Sequence, residues 1–268
     1  MSKIKIGCET YTWQMPGEQY KDKLEHIMKI CSQAGFTGIE PESSFMGEFK
    51  DPVRMKEALA QYNLELAVLC IVEDWRNSRE TVAERSRTDR WISFLGHFPD
   101  TILLTVQMPG VNRENLRERQ HNMISCVNDI SRRAAEKGIV CSNHPNSPEG
   151  SVFRLESDYQ VLMDGLDLDA TGFCPDVGHI AKGGMNPLEM VKRYRQYVNL
   201  IHYKDMFADG RWAATGAGDI DLVGMTAYLK ETSYQGWIIM EDECDEAIID
   251  PDGVTLKDGI YIAKNLNK

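Results

Sequence analysis

Three short stretches carry residues able to hold a metal ion: Pro175-Asp176-Val177-Gly178-His179, Ile201-His202-Tyr203-Lys204-Asp205 and Met240-Glu241-Asp242-Glu243. Each follows an apolar run, so Asp176, His202 and Glu241 fall where strands would end. Two carboxylates and an imidazole make an oxygen and nitrogen donor set for a divalent cation. Manganese is the first choice, with magnesium, cobalt or zinc also suited. An ion holding two adjacent oxygens of a sugar or polyol would polarise a carbonyl, acidify the neighbouring C–H and stabilise an enediolate. The proton needs a base about 3 Å away, and Glu241, His144 and His179 are the candidates.

Read singly, each residue has an ordinary explanation. A strand-end Asp is usually a cap or a salt-bridge partner, a lone His is a satisfied core residue about as often as not, and Glu241 lies in an acidic run. Three at successive strand ends, with His179 and Lys204 close by, favour the metal site. Lys204 is read as neutralising a developing oxyanion in preference to pairing with Asp205 or Glu241. Glu40 is balanced between a substrate hydrogen bond and an ion pair, and Gln107 is read as a substrate contact. Trp13, Trp75 and Trp212 are read as packing residues.

The elements that must position these residues alternate along the chain. Apolar runs at Ile4–Cys8, Phe36–Glu40, Leu64–Ile71, Thr101–Val106, Ile139–Ser142, Thr171–Cys174, Leu200–Tyr203 and Trp237–Met240 read as strands. Helical patterns follow at Tyr20–Ala34, Pro52–Tyr62, Val82–Leu95, Leu116–Lys137, Asp158–Asp164, Pro187–Tyr197, Leu222–Thr232 and Thr255–Asn267. Gly35 closes the first helix in the left-handed conformation, and Asn186 caps the helix opened by Pro187. Asp209–Asp221 reads as a surface loop. Eight strand–helix units predict an α/β protein built as a single (β/α)8 TIM barrel over residues 1–268, with its active site at the carboxyl ends of the strands. The strand ends bear that out in composition: Glu9, Glu40, Glu73, Gln107, Asn143-His144, Asp176, His202 and Glu241. An open doubly wound sheet would carry a glycine-rich first turn, and Gly7-Cys8-Glu9-Thr10-Tyr11-Thr12-Trp13 has none.

Composition narrows the partners. A net charge of −11 argues against a general nucleic-acid or membrane-surface binder. No apolar stretch reaches the ~18 residues of a membrane span, and Met1 leads directly into the first strand, so a cytoplasmic protein is expected. The seven cysteines show no CxxC spacing and read as reduced core thiols. No basic cluster stands out, which points to unphosphorylated substrates. A small sugar or polyol is the expected partner, and homo-oligomerisation is left open.

Ala34-Gly35-Phe36-Thr37-Gly38-Ile39-Glu40, the Asp176 and His202 stretches, Gly216-Ala217-Gly218-Asp219-Ile220-Asp221 and Tyr234-Gln235-Gly236-Trp237-Ile238-Ile239-Met240-Glu241 together resemble the xylose isomerase-like TIM barrels. That superfamily includes sugar-phosphate isomerases and epimerases, ketose 3-epimerases, hydroxypyruvate isomerase and inosose dehydratase. From Lys204 to Asp250 the likeness is to the inosose dehydratase branch. The resemblance implies that Asp176, His202 and Glu241 are metal ligands, that His179 binds substrate or metal-bound water, and that Glu40 and Lys204 line the pocket. Many relatives carry a metal-binding Glu at the end of strand five. Here the run is Ser142-Asn143-His144, so either His144 or water supplies the fourth ligand. The change also removes one of the two glutamates that ketose 3-epimerases place on opposite faces of the substrate.

Four functions compete. The leading one is a metal-dependent sugar isomerase or epimerase that moves a proton beside a carbonyl. A lyase on the same scaffold, dehydrating a keto-inositol or eliminating from a 3-oxo-glycoside, is the alternative. An endonuclease IV-like activity is disfavoured, since it would need more histidines than the six present and a less acidic chain. A non-catalytic sugar-binding barrel finds support only in Ser142.

Overall fold

The computed structural model describes residues 4–266. The readings made for Met1–Lys3 and for Asn267 lie outside the described residues. In chain order the strands are β1 (Lys5–Glu9), β2 (Gly38–Glu40), β3 (Glu65–Leu66), β4 (Val68–Glu73), β5 (Ile102–Gln107), β6 (Cys141–His144), β7 (Thr171–Phe173), β8 (Leu200–Tyr203), β9 (Asp205–Met206), β10 (Trp212–Ala213) and β11 (Trp237–Met240).

The described residues form two compact units, residues 4–67 with 200–266, and residues 68–199. In the first, the order is β3-β2-β1-β11-β8, and every neighbouring pair is parallel. Trp-Ile-Ile-Met of β11 and Leu-Ile-His-Tyr of β8 are buried at every position, as parallel strands covered on both faces require. A Cβ at Gly38 would fall 2.6 Å from the Trp237 ring, so β2 needs glycine there. The helix Leu24–Ala34 buries Leu24, Ile27, Met28, Ile30 and Cys31 and closes at Gly35 with φ 87°. The helix Pro251–Asn265 packs against it so closely that a Cβ at Gly259 would lie 2.0 Å from the Ala34 carbonyl oxygen.

In the second unit the order is β4-β5-β6-β7, again parallel throughout. The helix Val82–Leu95 starts with a capping box, in which Thr81 accepts from the Glu84 backbone and Glu84 accepts from the Thr81 backbone. The long helix Leu116–Ala135 buries Met123, Ile124, Cys126, Val127 and Ile130 along one face.

The alternation read from the sequence is present, with shifted edges. The predicted strand Leu64–Ile71 is two strands, β3 and β4, which join different sheets. The predicted strand Ile139–Ser142 begins at Cys141 and runs on to His144, because the polar Ser142-Asn143-His144 pairs with β5 as readily as an apolar run. The first helix begins at Leu24, after a 3-10 turn at Gly17–Tyr20, and the helix read as Pro187–Tyr197 ends at Tyr194. The closing helix begins at Pro251 because Asp250 caps it and Pro251 suits its first position. The Asp209–Asp221 loop contains β10, which pairs antiparallel with β9. Helices Tyr11–Gln14, Val177–Lys182 and Asp245–Ile249 were not anticipated. All seven cysteines are buried thiols, as expected for core residues. Among the described residues, no helix is long and apolar enough to cross a membrane.

Candidate active site

Parallel register gathers the strand ends of the first unit. Glu9 pairs with Glu40 across β1 and β2, while Ile239 pairs with His202 across β11 and β8. His202 is 1% exposed and sits among three carboxylates. Its Nε2 lies 3.0 Å from Glu40 Oε2, and its Nδ1 lies 3.4 Å from both Glu9 Oε2 and Glu241 Oε2. Glu40 Oε1 is buried and has no hydrogen-bond partner.

Lys204 lies just past β8, also 1% exposed. Its Nζ is 2.8 Å from Glu241 Oε1 and 2.5 Å from Glu243 Oε1, and 5.4 Å from the centre of the Trp212 ring. Glu241 is thus a partner of Lys204, one of the two pairings that the sequence weighed beside an oxyanion role. A buried ammonium is stable only beside carboxylates, and the acidic run after β11 supplies two. The acids divide their protonation. Burial, with repulsion from Glu241 and Glu40, pushes the Glu9 carboxyl well up. Burial acts most strongly on Glu241 too, but Lys204 and the hydrogen bond from His202 outweigh it and hold Glu241 well below the ordinary range. Tyr11 is pushed up to about 12 by burial and then by Glu243.

Asp205 shapes the loop behind Lys204. Its carboxylate accepts from the backbone N–H of Met206 (2.8 Å), Gly216 (2.9 Å), Gly218 (2.9 Å) and Ile220 (3.2 Å). A Cβ at Gly218 would lie 2.3 Å from Asp205 Oδ1, so glycine is what lets the loop wrap that carboxylate. Asp242, next to Glu241, accepts from the Thr215 N–H at 3.0 Å and holds the same loop from the other side.

The second unit places two of its histidines, His144 and His179, beside Asp176. Asp176 is completely buried and caps the unforeseen helix Val177–Lys182, its Oδ1 accepting from the His179 N–H at 2.7 Å. Its Oδ2 faces His144 Nε2 at 3.5 Å and His179 Nε2 at 4.0 Å. The two imidazoles meet edge to face with centroids 5.5 Å apart, and the His179 Nδ1 is 2.8 Å from Ser147 Oγ. Ser142 is buried and its hydroxyl has no hydrogen-bond partner. Gln107 is tied into the loops, donating from Nε2 to the Asp74 carbonyl at 3.0 Å and accepting on its backbone from Asn146 at 2.8 Å.

The sequence-selected residues therefore fall into two groups. Glu40, His202, Lys204 and Glu241 meet in the first unit, and His144, Asp176 and His179 meet in the second. Ser147 and Glu243 were missed. Glu243 was visible only as part of an acidic run, and Ser147 carried no signal. Of the three tryptophans, Trp13 and Trp75 are fully buried and pack as expected, while Trp212 is half-buried beside Lys204.

With this geometry in hand, comparison with known proteins decides the family. The model of the xylose isomerase-like TIM barrel family matches residues 28–265. The chain belongs to this family. Its fold is the α/β barrel that the alternating pattern predicted. Curated relatives include an inosose dehydratase of Clostridium botulinum, 24% identical over 97% of this chain and 96% of its own length. An inosose dehydratase of Geobacillus kaustophilus is 25% identical over 94% of this chain and 91% of its own length. Among solved structures, an IolI protein with a bound zinc atom superposes with a TM-score of 0.77 at 15% identity, covering 99% of this chain and all of that one. An L-ribulose 3-epimerase gives a TM-score of 0.76 at 14% identity, covering 98% of this chain and 94% of that one. At such identities the structures bear on fold alone.

Proposed function

We propose that the chain is a divalent-metal-dependent lyase that removes water from a hydroxy-ketone of the sugar or polyol class, such as a keto-inositol. The observation that carries this reading is the different company that His202 and Asp176 keep. Glu9, Glu40 and Glu241 surround His202, whereas Asp176 is surrounded by imidazoles and β6 ends in Ser142-Asn143-His144. A symmetric epimerisation needs a carboxylate on each face of the substrate. An elimination needs a base and an unlike acid, which a carboxylate and an imidazole provide.

His144, Asp176, His202 and Glu241 are the proposed metal ligands. Their donor set fits: all four are buried and together offer two imidazoles and two carboxylates, and glutamates crowd His202 and Lys204. In the barrel fold all strands present their carboxyl ends to one mouth, where catalytic residues of different strands can act together. A bound ion would supply Lewis acidity at the carbonyl oxygen. Glu241, kept ionised by Lys204, takes the proton beside the carbonyl. Lys204 faces the charge that develops on oxygen. His179, its ring oriented through Ser147, returns a proton to the departing hydroxyl, which leaves as water. Glu40 and Gln107 are proposed substrate contacts. The relatives named inosose dehydratase support this reaction class.

Isomerisation or epimerisation, the leading expectation from sequence, is the second reading. It shares the first proton transfer and is favoured by the unpartnered Glu40 Oε1, a second carboxylate oxygen available for a proton. Incubation with a keto-inositol in D₂O separates the two. The lyase reading expects a new ultraviolet-absorbing enone, lost on chelation. Deuterium incorporation with stereoisomeric products and no enone would overturn it in favour of the second.

A further inference from the structure

We infer that Arg76 and Arg119 form a subsite for an oxyanion, the carboxylate or phosphate group of a small ligand, in the loops following β4, β5 and β6. Sequence spacing hides this pair. Folding brings both guanidinium groups to Gly110, where a Cβ would lie 2.6 Å from Arg119 Nη2 and 3.1 Å from Arg76 Nη2. Gly110 forms a backbone bridge with Gly150, so the subsite lies between the loop that follows Gln107 and the loop that follows His144.

The charges there do not balance. Arg119 is 6% exposed. Among the described residues it has no carboxylate in ion-pair range, only the carbonyl oxygens of Asn112 at 2.6 Å and Gly150 at 3.2 Å. A guanidinium carries five N–H donors, so most remain available, and the buried Nε has no hydrogen-bond partner. Asp74 is shared with Arg76, which it meets at 2.7 Å, while Arg113, the third arginine nearby, is paired with Asp158. Burial first, then Arg76, pulls the Arg119 pKa down, the mark of a cation facing another cation. Arg76 is half-exposed, so the pair is open to a ligand from solvent. Planar forks of this kind match carboxylate and phosphate geometry. The absence of a basic run in the sequence therefore does not exclude an acidic ligand.

The inference is independent of the proposed metal. Inorganic phosphate and acetate are titrated separately into EDTA-treated protein by calorimetry, and the tighter of the two identifies the group. Saturable binding that Arg76→Gln weakens roughly tenfold or more is expected, since hydrogen bonds to charged groups are worth that much. Arg119→Lys, which keeps the charge but not the fork, should weaken it as well. No binding of either anion to the parent would overturn the inference. So would binding that needs the metal restored and ignores Arg76→Gln, because the anion would then sit on the ion.

Discussion

Asp258, on the helix Pro251–Asn265, shows how a single residue records the electrostatics of its surroundings. Burial, then repulsion from Asp242 and the hydrogen bond between the two carboxyls, raise its pKa well above the ordinary value. In the unfolded chain the same group ionises near pH ~3.9. Between that pH and the raised folded value the folded state binds the extra proton, so stability is greater on the acid side and falls as pH rises through the window. Asp258→Asn keeps the hydrogen-bonding shape without the charge. The variant should lose this slope and gain stability over the parent as pH rises from about 5 to about 8, followed by denaturant unfolding. A widening deficit would refute the shared-proton pair. At this scale the sequence was informative about residue type and poor about partners. Asp176, His202 and Glu241 stood out by position, but the capture of Lys204 by Glu241 and Glu243 did not, because side chains from two strands meet there. Asp258 had no signal at all, since its partner is sixteen residues earlier, in the loop after β11.

At the scale of elements, the segment from β9 through β10 to the helix Leu222–Glu231 is tied together by Asp205, while Trp212 and Ala214 pack against the cluster of Cys244, Ala247 and Val254. Gly218→Ala would press a methyl group against Asp205 Oδ1 and the Met206 carbonyl oxygen. The substitution should cost ~1–3 kcal/mol. Amide hydrogen exchange should show faster exchange at Gly216, Gly218 and Ile220 with little change in β11; unchanged protection would mean that the carboxylate does not organise the loop. Long apolar strands and long amphipathic helices were legible because periodicity reports burial directly. What escaped was short or governed by capping. The helix Val177–Lys182 is six residues with a glycine inside, nucleated by the Asp176 side chain, and the division of strand three at Ala67 has no compositional mark.

For the molecule as a whole, the proposed metal centre would link stability to a cation. If His144, Asp176, His202 and Glu241 hold a divalent ion, that ion binds only the folded chain, and stability rises with its concentration. At a hundredfold excess over the dissociation constant the gain is about 2.7 kcal/mol. EDTA-treated protein should therefore melt at a lower temperature and recover with added manganese. His202→Ala should abolish the response without unfolding the chain. A melting temperature indifferent to manganese, cobalt and zinc would remove the proposed centre. The family was legible from a handful of stretches because they are the segments where parallel strands end.

One consequence of the Asp205 carboxylate reaches beyond stability. By binding four amides of its own loop, it casts the surface behind Lys204 before any guest arrives. A molecule reaching Lys204 and Trp212 meets a finished mould, so the freedom surrendered on docking is mainly the visitor's.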